Sequence, residues 1–319
     1  MSIDIQYLLW LQELRNATGG MFDEFFNALS KFAVDILPFL PYIIYWGASK
    51  KWGYRFMTSI WCAEMMNGII KLTVCAYRPW IRSELIEPAG DSKVAATGYS
   101  FPSGHSTVAT TLYGSVVVWQ RERRGWLAAV CAGLLVLTCF SRNFLGVHTP
   151  QDVVVGFSSS VLLIFIIGIA EKKVGDNEKL KDMLTLLGIV SIILTIIYIK
   201  VKPYPMDYVD GALLVDPNKM MNDTFKACGG FLGFLIGSYV DRHYLNYEIP
   251  EGKAASNLPM LTAIGAGILF AWKEWFAPAT IVPMLGGHWG NFIGRALMTL
   301  FALVIWPVVI LNETSKRKA

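Results

Sequence analysis

The chain has 319 residues, of which 54% are hydrophobic and only 16% are charged, and its formal net charge is +4. Roughly a quarter of the residues of a soluble domain are charged, so this composition excludes an ordinary soluble protein and predicts a membrane protein. The apolar residues form many long runs, whereas a secretory signal would be one short run near the start. Because the basic residues cluster between these runs, membrane orientation explains the positive charge and nucleic acid is excluded as a partner.

The apolar runs predict an all-α fold, a polytopic transmembrane helix bundle with about nine spans of roughly twenty residues each. Asp35, Pro38 and Pro41 interrupt the first run, which is compatible with a broken or re-entrant segment. Residues 1–30 precede it with the partly amphipathic pattern of an interfacial segment. The predicted spans lie near residues 31–48, 56–75, 104–120, 125–141, 152–170, 183–201, 224–241, 258–276 and 292–311.

Clusters of basic residues fall on one side of the membrane if the predicted spans alternate in direction. Cytoplasmic loops carry such an excess, so this side is predicted to be cytoplasmic and residues 99–106 to face outward. Since no long targeting extension is evident, we expect a bacterial inner membrane. The basic residues are Lys50, Lys51, Arg55, Arg121, Arg123, Arg124, Lys172, Lys173, Lys179, Lys181, Lys316, Arg317 and Lys318.

Three polar stretches lie at the outer ends of the predicted spans: KLTVCAYRP (71–79), YSFPSGHS (99–106) and SRNFLGVHTPQD (141–152). Ionisable residues are costly near hydrocarbon, which makes each stretch a candidate for a functional site. The helix rise places these residues roughly 24 to 30 Å from the cytoplasmic basic clusters. All three stretches are therefore predicted to reach the same level of the membrane.

At this level His105 would meet Lys71, Arg78, Arg142 and His148. Three fixed cations in one place require an anion, and the three stretches contain a single acidic residue. Arginine binds phosphate through its planar fork and lysine binds it as a point charge. The sequence therefore predicts a bound phosphate group.

These stretches resemble the three-part signature of the type 2 phosphatidic acid phosphatase (PAP2) superfamily. That signature combines Lys, six residues and Arg-Pro with Pro-Ser-Gly-His and with Ser-Arg, five residues, His, three residues and Asp. All three parts match without a substitution, and their order and spacing are far more specific than those of a single short motif. The matched motifs cover only residues 71–152.

The resemblance implies that His148 is the nucleophile, that Asp152 fixes its tautomer, and that His105 is the general acid. Asp152 also has a structural interpretation, because residues 149–152 are typical of a helix start with Thr149 as the cap. Neither a P-loop nor an acidic metal cluster is present in the sequence, so no metal or other cofactor is expected. The residues implied to bind phosphoryl oxygens are Lys71, Arg78, Ser103, Gly104 and Arg142.

The implied function is a metal-independent membrane phosphatase that hydrolyses a lipid phosphate or diphosphate through a phosphohistidine at the outer face. Its partners are then a phosphorylated lipid substrate and the membrane lipids, with neither metal nor nucleic acid required. Three alternatives stay open: a lipid phosphotransferase using the same site, a sugar-phosphate phosphatase of the glucose-6-phosphatase type, and a lipid transporter or scaffold with an inherited site. A substrate panel would separate them.

This interpretation divides the chain into three parts. Residues 1–30 form the interfacial N-terminal segment, and residues 31–201 form a membrane catalytic core that carries the three motifs. Residues 202–319 form an outer loop and the C-terminal transmembrane helices. The role of this last part does not follow from the sequence.

Overall fold

The computed structural model describes residues 1–96, 98–120, 122–209 and 211–315. Arg121 and the C-terminal Lys316, Arg317 and Lys318, used above for orientation, lie outside the described residues. Within the described ranges the chain is mainly helical, and its only sheet is a two-stranded antiparallel hairpin. The predicted all-α class is confirmed.

The regular elements are bounded as follows. The helices and strands are α1 Ile3–Ala17, α2 Asp23–Lys31, α3 Leu40–Gly47, α4 Lys50–Val74, α5 Pro79–Arg82, α6 Ser92–Ala95, α7 Gly104–Ala109, α8 Ser115–Gln120, α9 Gly125–Phe144, α10 Pro150–Val174, α11 Glu178–Val201, β1 Tyr208–Val209, β2 Ala212–Leu213, α12 Pro217–Val240, α13 Leu258–Ala271, α14 Val282–Leu285, α15 Gly287–Leu300 and α16 Trp306–Ser315. Wide π-helical turns occur at Phe32–Ile36, Thr110–Gly114, Asp241–Leu245, Trp272–Ile281 and Phe301–Ile305, and 3-10 turns at Leu37–Phe39 and Gly252–Asn257.

Every predicted span lies in a helical segment, but not every segment is equally apolar. In the described part of the chain six segments are long and apolar enough to cross a membrane. The remaining predicted spans, 56–75, 104–120 and 224–241, lie in α4, α7–α8 and α12, whose polar side chains lower the mean hydropathy. The count of nine therefore stays a prediction. The six segments are Asp23–Gly47, Gly125–Phe144, Pro150–Val174, Glu178–Val201, Ala255–Leu285 and Gly287–Ser315.

The described residues pack as two compact units, and the three polar stretches all belong to the first. This unit consists of Met1–Pro38, Ala63–Ile166 and Lys202–Met220. Phe26 of α2 packs on Phe144 at the end of α9, with ring centroids 4.7 Å apart. Aromatic burial of this kind holds the end of α9, and with it the third stretch, in place.

The N-terminal segment is tied to the first unit by both apolar and polar contacts. Buried side chains of α1, including Leu8 and Leu11, pack with Ile86. The buried Arg15 donates hydrogen bonds to the carbonyl oxygens of Glu87 at 2.6 Å and of Phe144 at 3.3 Å. These bonds join the N-terminal helix to the loop after the first stretch and to the end of α9.

The second unit consists of Phe39–Cys62, Ile167–Val201 and Met221–Ala319. His288, at the start of α15, stacks on Phe225 with ring centroids 4.9 Å apart, and its Nδ1 lies 2.7 Å from Nζ of Lys200. His243 is exposed, and its Nε2 lies 3.0 Å from the carboxylate of Asp182. Neither histidine belongs to the unit that contains the motifs.

Candidate active site

The third stretch ends in a helix start that the sequence predicts correctly. Helix α10 begins at Pro150, and Thr149 precedes it as the cap. The backbone N–H of Asp152 donates to Thr149 Oγ1 at 3.4 Å, and the backbone N–H of Thr149 donates to Asp152 Oδ2 at 2.8 Å. This reciprocal pair is a capping box, which fixes the Asp152 carboxylate at the first turn of α10.

The same carboxylate also holds His148. Its Oδ2 lies 3.2 Å from His148 Nδ1 and accepts a hydrogen bond from Ser100 Oγ at 2.6 Å. The two interpretations of Asp152 are thus compatible, because one oxygen caps the helix and contacts the histidine. Ser100 was not among the predicted site residues, although it lies inside the second stretch.

The other ring nitrogen of His148 faces an arginine. Nε2 lies 2.8 Å from Nη1 of Arg78. Since a guanidinium only donates, Nε2 accepts this bond and Nδ1 carries the proton that points to Asp152. This tautomer leaves the lone pair of the ring on Nε2, on the side that faces Arg78. Burial, together with the charge of Arg78, holds the pKa of His148 well below its ordinary value, so the ring is neutral at neutral pH.

Arg78 connects the first stretch to the other two. Arg78 is buried, its Nε donates to the Gly98 carbonyl at 3.1 Å, and its Nη1 donates to the Val147 carbonyl at 2.9 Å. Burial lowers the pKa of Arg78 to about 10, and the carboxylate of Asp152 acts in the opposite direction. The guanidinium therefore stays charged at neutral pH.

Lys71 sits at the end of α4 against the backbone of the second stretch. Its Nζ donates to the carbonyl oxygens of Tyr99 at 3.1 Å, Ser100 at 3.4 Å and Pro102 at 3.0 Å. Carbonyls orient the ammonium but carry no formal charge, so its positive charge is not neutralised by these bonds.

Arg142 is the most deeply buried cation of the group, with 2% of its surface exposed. Its Nε has no hydrogen-bond partner among the described residues. A buried donor without a partner is costly, and an oxyanion would satisfy it. The Arg142 carbonyl accepts hydrogen bonds from the backbone N–H groups of Val147 and His148, both at 3.2 Å, which couples the positions of Arg142 and the histidine.

Ser103 and Gly104 begin helix α7. Ser103 Oγ accepts a hydrogen bond from the Ser106 N–H at 3.2 Å, so the hydroxyl oxygen caps the helix. The Ser103 N–H donates to the Asp152 carbonyl at 2.9 Å. Gly156 permits this contact between α7 and α10, because a Cβ there would lie 2.8 Å from the Ser103 carbonyl oxygen.

His105 follows in the first turn of α7 and is partly exposed. It lies within electrostatic reach of Lys71, Arg78, Arg142 and His148. The structure thus brings the predicted histidines and cations into one charged cluster. A bound phosphate dianion would offset these positive charges and favour the imidazolium form of His105.

The sequence gives little indication of two further polar contacts near the site. Asn143 Nδ2 donates to the His148 carbonyl at 2.9 Å and braces the turn that presents the histidine. Asn67 Nδ2 donates to Thr107 Oγ1 at 2.9 Å and joins α4 to α7. Asn143 lies inside the third stretch, whereas Asn67 lies four residues before Lys71 and carries no sequence signal of its own.

No group of three or more His, Cys, Asp or Glu side chains in the described ranges is arranged to hold a metal ion. Apart from the Asp152 carboxylate, the charged groups of the site are cationic, and they suit an oxyanion.

A buried histidine beside a carboxylate, in a cluster of cations at helix ends, is the arrangement expected of an enzyme that acts on phosphoryl groups. The sequence profile of the PAP2 superfamily matches residues 52–175. Phosphatidylglycerophosphatase B of Bacillus subtilis (strain 168) is 32% identical over 152 residues, 44% of this chain and 69% of the relative. The chain therefore belongs to the PAP2 superfamily, and it is a multi-pass membrane phosphatase.

Two other relatives extend the comparison. An undecaprenyl-diphosphatase of Sulfolobus acidocaldarius is 26% identical over 149 residues, 46% of this chain and 68% of the relative. Lipid phosphate phosphatase delta of Arabidopsis thaliana is 28% identical over 194 residues, 57% of this chain and 44% of the relative. No solved structure matches the chain significantly.

Proposed function

We propose that this phosphatase hydrolyses a lipid phosphate or diphosphate, without a metal, through a phosphohistidine on His148. The observation that carries the proposal is the orientation of the imidazole. Nδ1 points to Asp152 and Nε2 points to Arg78, so the nucleophilic nitrogen faces the predicted phosphate-binding cations.

The proposed reaction has two steps. In the first, His148 Nε2 attacks phosphorus, the bond to the leaving oxygen breaks, and His105 gives its proton to that oxygen. In the second, His105 takes a proton from water, whose oxygen displaces His148 and releases inorganic phosphate. Lys71, Arg78 and Arg142 stabilise the negative charge of the equatorial oxygens in both steps, with the Ser103 hydroxyl and the Gly104 N–H as further donors.

The lipid class of the substrate is supported by the relatives. Their names specify phosphatidylglycerophosphate, undecaprenyl diphosphate and lipid phosphate substrates. A site at the ends of apolar helices can receive such a substrate directly from the bilayer. We further propose that the chain lies in a bacterial inner membrane with this site facing outward, because the basic loops mark the opposite side as cytoplasmic.

Purified protein in nanodiscs is expected to release phosphate from members of a panel of phosphatidate, phosphatidylglycerophosphate, sphingoid phosphate and polyprenyl diphosphate. Glucose 6-phosphate should be a poor substrate. Release should persist in excess EDTA, since the cations and helix-start amides already neutralise the phosphoryl oxygens. Phosphate release measured with and without an added acceptor lipid separates hydrolysis from transfer.

Three outcomes would contradict the proposal in different ways. Complete loss in EDTA with recovery in Mg²⁺ would contradict the metal-independent mechanism. Preference for glucose 6-phosphate would contradict the lipid substrate. A dominant transfer product at low acceptor concentration would replace the hydrolase with a phosphotransferase.

The outward position of the site predicts a labelling pattern. A cysteine introduced at Lys93, which is exposed in the short helix α6 before the second stretch, should react with an impermeant thiol reagent in intact cells. A cysteine at Asp176, exposed in the loop after α10, should react only after lysis. The unmodified chain is the control, because its five cysteines are buried or partly buried. The reverse pattern would overturn the proposed orientation.

The pH dependence follows from the depressed pKa of His148. Activity requires neutral His148, so kcat/KM should fall on the acid side only well below the ordinary histidine range. Arg78→Gln removes a positive charge that lowers this pKa. The acid limb of the residual activity should then move to higher pH.

The matched control for this shift is Arg82→Gln. Arg82 pairs with Asp4 at 2.7 Å and makes no described contact with His148. The pH profile of kcat/KM for Arg82→Gln should keep the wild-type acid limb. An acid limb in Arg78→Gln at the wild-type pH would show that Arg78 does not set the protonation of the nucleophile.

A further inference from the structure

The outer segment, Lys202–Met220, belongs to the same compact unit as the three motifs. The family signature includes none of its residues. It contains the short hairpin of β1 and β2 and the first turn of α12. Its described side chains contact the chain around Lys71 and Arg78 at several points.

Two of these contacts fall on the six residues that separate Lys71 from Arg78. Lys202 Nζ lies 3.6 Å from the sulfur of Cys75. The hydroxyl of Tyr77 donates to the carboxylate of Asp207. The outer segment therefore contacts the spacer, residues 72–77, which joins Lys71 to Arg78.

A third contact falls on the backbone that orients the same two cations. The Tyr99 N–H donates to Sδ of Met220 at 3.2 Å. Gly98 lies against this sulfur, because a Cβ at position 98 would be only 1.7 Å from Sδ of Met220. The φ of Gly98 is +74°. The carbonyl of Gly98 accepts from Arg78 Nε at 3.1 Å, and the carbonyl of Tyr99 accepts from Lys71 Nζ at 3.1 Å.

We propose that the outer segment is a clamp that positions Lys71 and Arg78 for the phosphoryl oxygens, with Met220 as its main positioning residue. Met220 is buried, and it packs against the two peptide groups to which the cations bond. The Asp207–Tyr77 bond fixes the spacer itself. The inference rests on the proposed function of this site, and it assigns the clamp no chemical step.

Met220→Ala is expected to weaken competitive inhibition by inorganic phosphate about tenfold and to lower kcat/KM at least as much, because small displacements of charged groups weaken catalysis strongly. Met220→Leu keeps most of the volume and should stay within about threefold of wild type. Met206→Ala changes an exposed methionine of the same segment and should have no effect. Tyr77→Phe should weaken phosphate inhibition by about threefold, through loss of one hydrogen bond to a carboxylate.

A double-mutant cycle distinguishes the positioning of Arg78 by Met220 from a merely structural role of Met220. If Met220 positions both Arg78 and Lys71, Met220→Ala should cost clearly less in phosphate affinity in an Arg78→Gln background than in the wild type, because only its effect through Lys71 remains. An equal cost in both backgrounds would overturn the clamp. The clamp would also be overturned if inorganic phosphate inhibited Met220→Ala and Tyr77→Phe as strongly as it inhibits the wild type.

Failure of the clamp and failure of the proposed function give different results. If the wild type releases phosphate and His148→Ala does not, while the clamp variants match Met206→Ala, only the clamp is wrong. If His148→Ala keeps wild-type activity, the proposed function is wrong. Should Met220→Ala fail to fold in detergent, Tyr77→Phe with Tyr208→Phe as its exposed control decides the inference.

Discussion

His148→Ala is expected to abolish turnover of every phosphate ester, by a factor on the order of 10⁴ or more, because it removes the nucleophile. His105→Ala removes only the proton donor and should cost about 10² to 10⁴ on an alkyl phosphate. For p-nitrophenyl phosphate, whose leaving group needs no proton, phosphoenzyme formation by His105→Ala should recover strongly. Rates of both variants on both substrates are the measurement.

His243→Ala is the matched control for these substitutions, since His243 is exposed and lies outside the unit that contains the motifs. It should keep wild-type rates on both substrates. Equal losses in His105→Ala on the alkyl and the nitrophenyl ester would contradict the role of His105 as the acid. Activity of His148→Ala near the wild-type level would contradict the nucleophile assignment.

Asp152→Asn is expected to lower kcat by about 10² to 10⁴ while the protein stays folded. The carboxylate accepts a hydrogen bond from Nδ1–H of His148 and, in the proposed mechanism, supports the charged imidazole of the phosphorylated state. An amide accepts more weakly and can present N–H instead, which favours the tautomer with the proton on Nε2. Steady-state rates and thermal unfolding of the variant are to be measured together.

The capping role of Asp152 requires its own control. Thr149→Val removes the hydroxyl that accepts the Asp152 N–H and leaves the carboxylate beside His148. It should cost about 1 kcal/mol of stability with only a small change in rate. If Thr149→Val lowers the rate as much as Asp152→Asn does, then helix capping alone explains Asp152 and its catalytic role is wrong.

The motif spacing explains why so much of the site could be predicted. Lys71, Arg78, His105, Arg142 and His148 lie at helix ends or in the turns that follow, and helix length alone brings such positions to one level. The capping box at Thr149 and Asp152 was predicted because it depends on four consecutive residues. Local patterns of this kind are visible in a single sequence.

The other features of the site depend on backbone groups and on segments far apart in the chain, and no local sequence pattern indicates them. Lys71 and Arg78 are oriented by the carbonyls of residues 98–102, and every residue type carries such a carbonyl. The contact between Met220 and Tyr99 joins positions 121 residues apart. Helices α4 and α12 show a related limit, because their polar side chains leave their membrane crossing undecided by hydropathy.

The most direct test of the central claim is identification of the phosphorylated residue. Protein incubated with labelled lipid phosphate, quenched rapidly and kept at alkaline pH to preserve phosphohistidine, is digested and analysed by mass spectrometry. The account predicts phosphate on His148, with none on the corresponding peptide of His148→Ala. Phosphate on another residue, or a normal phosphoenzyme level in His148→Ala, would contradict it.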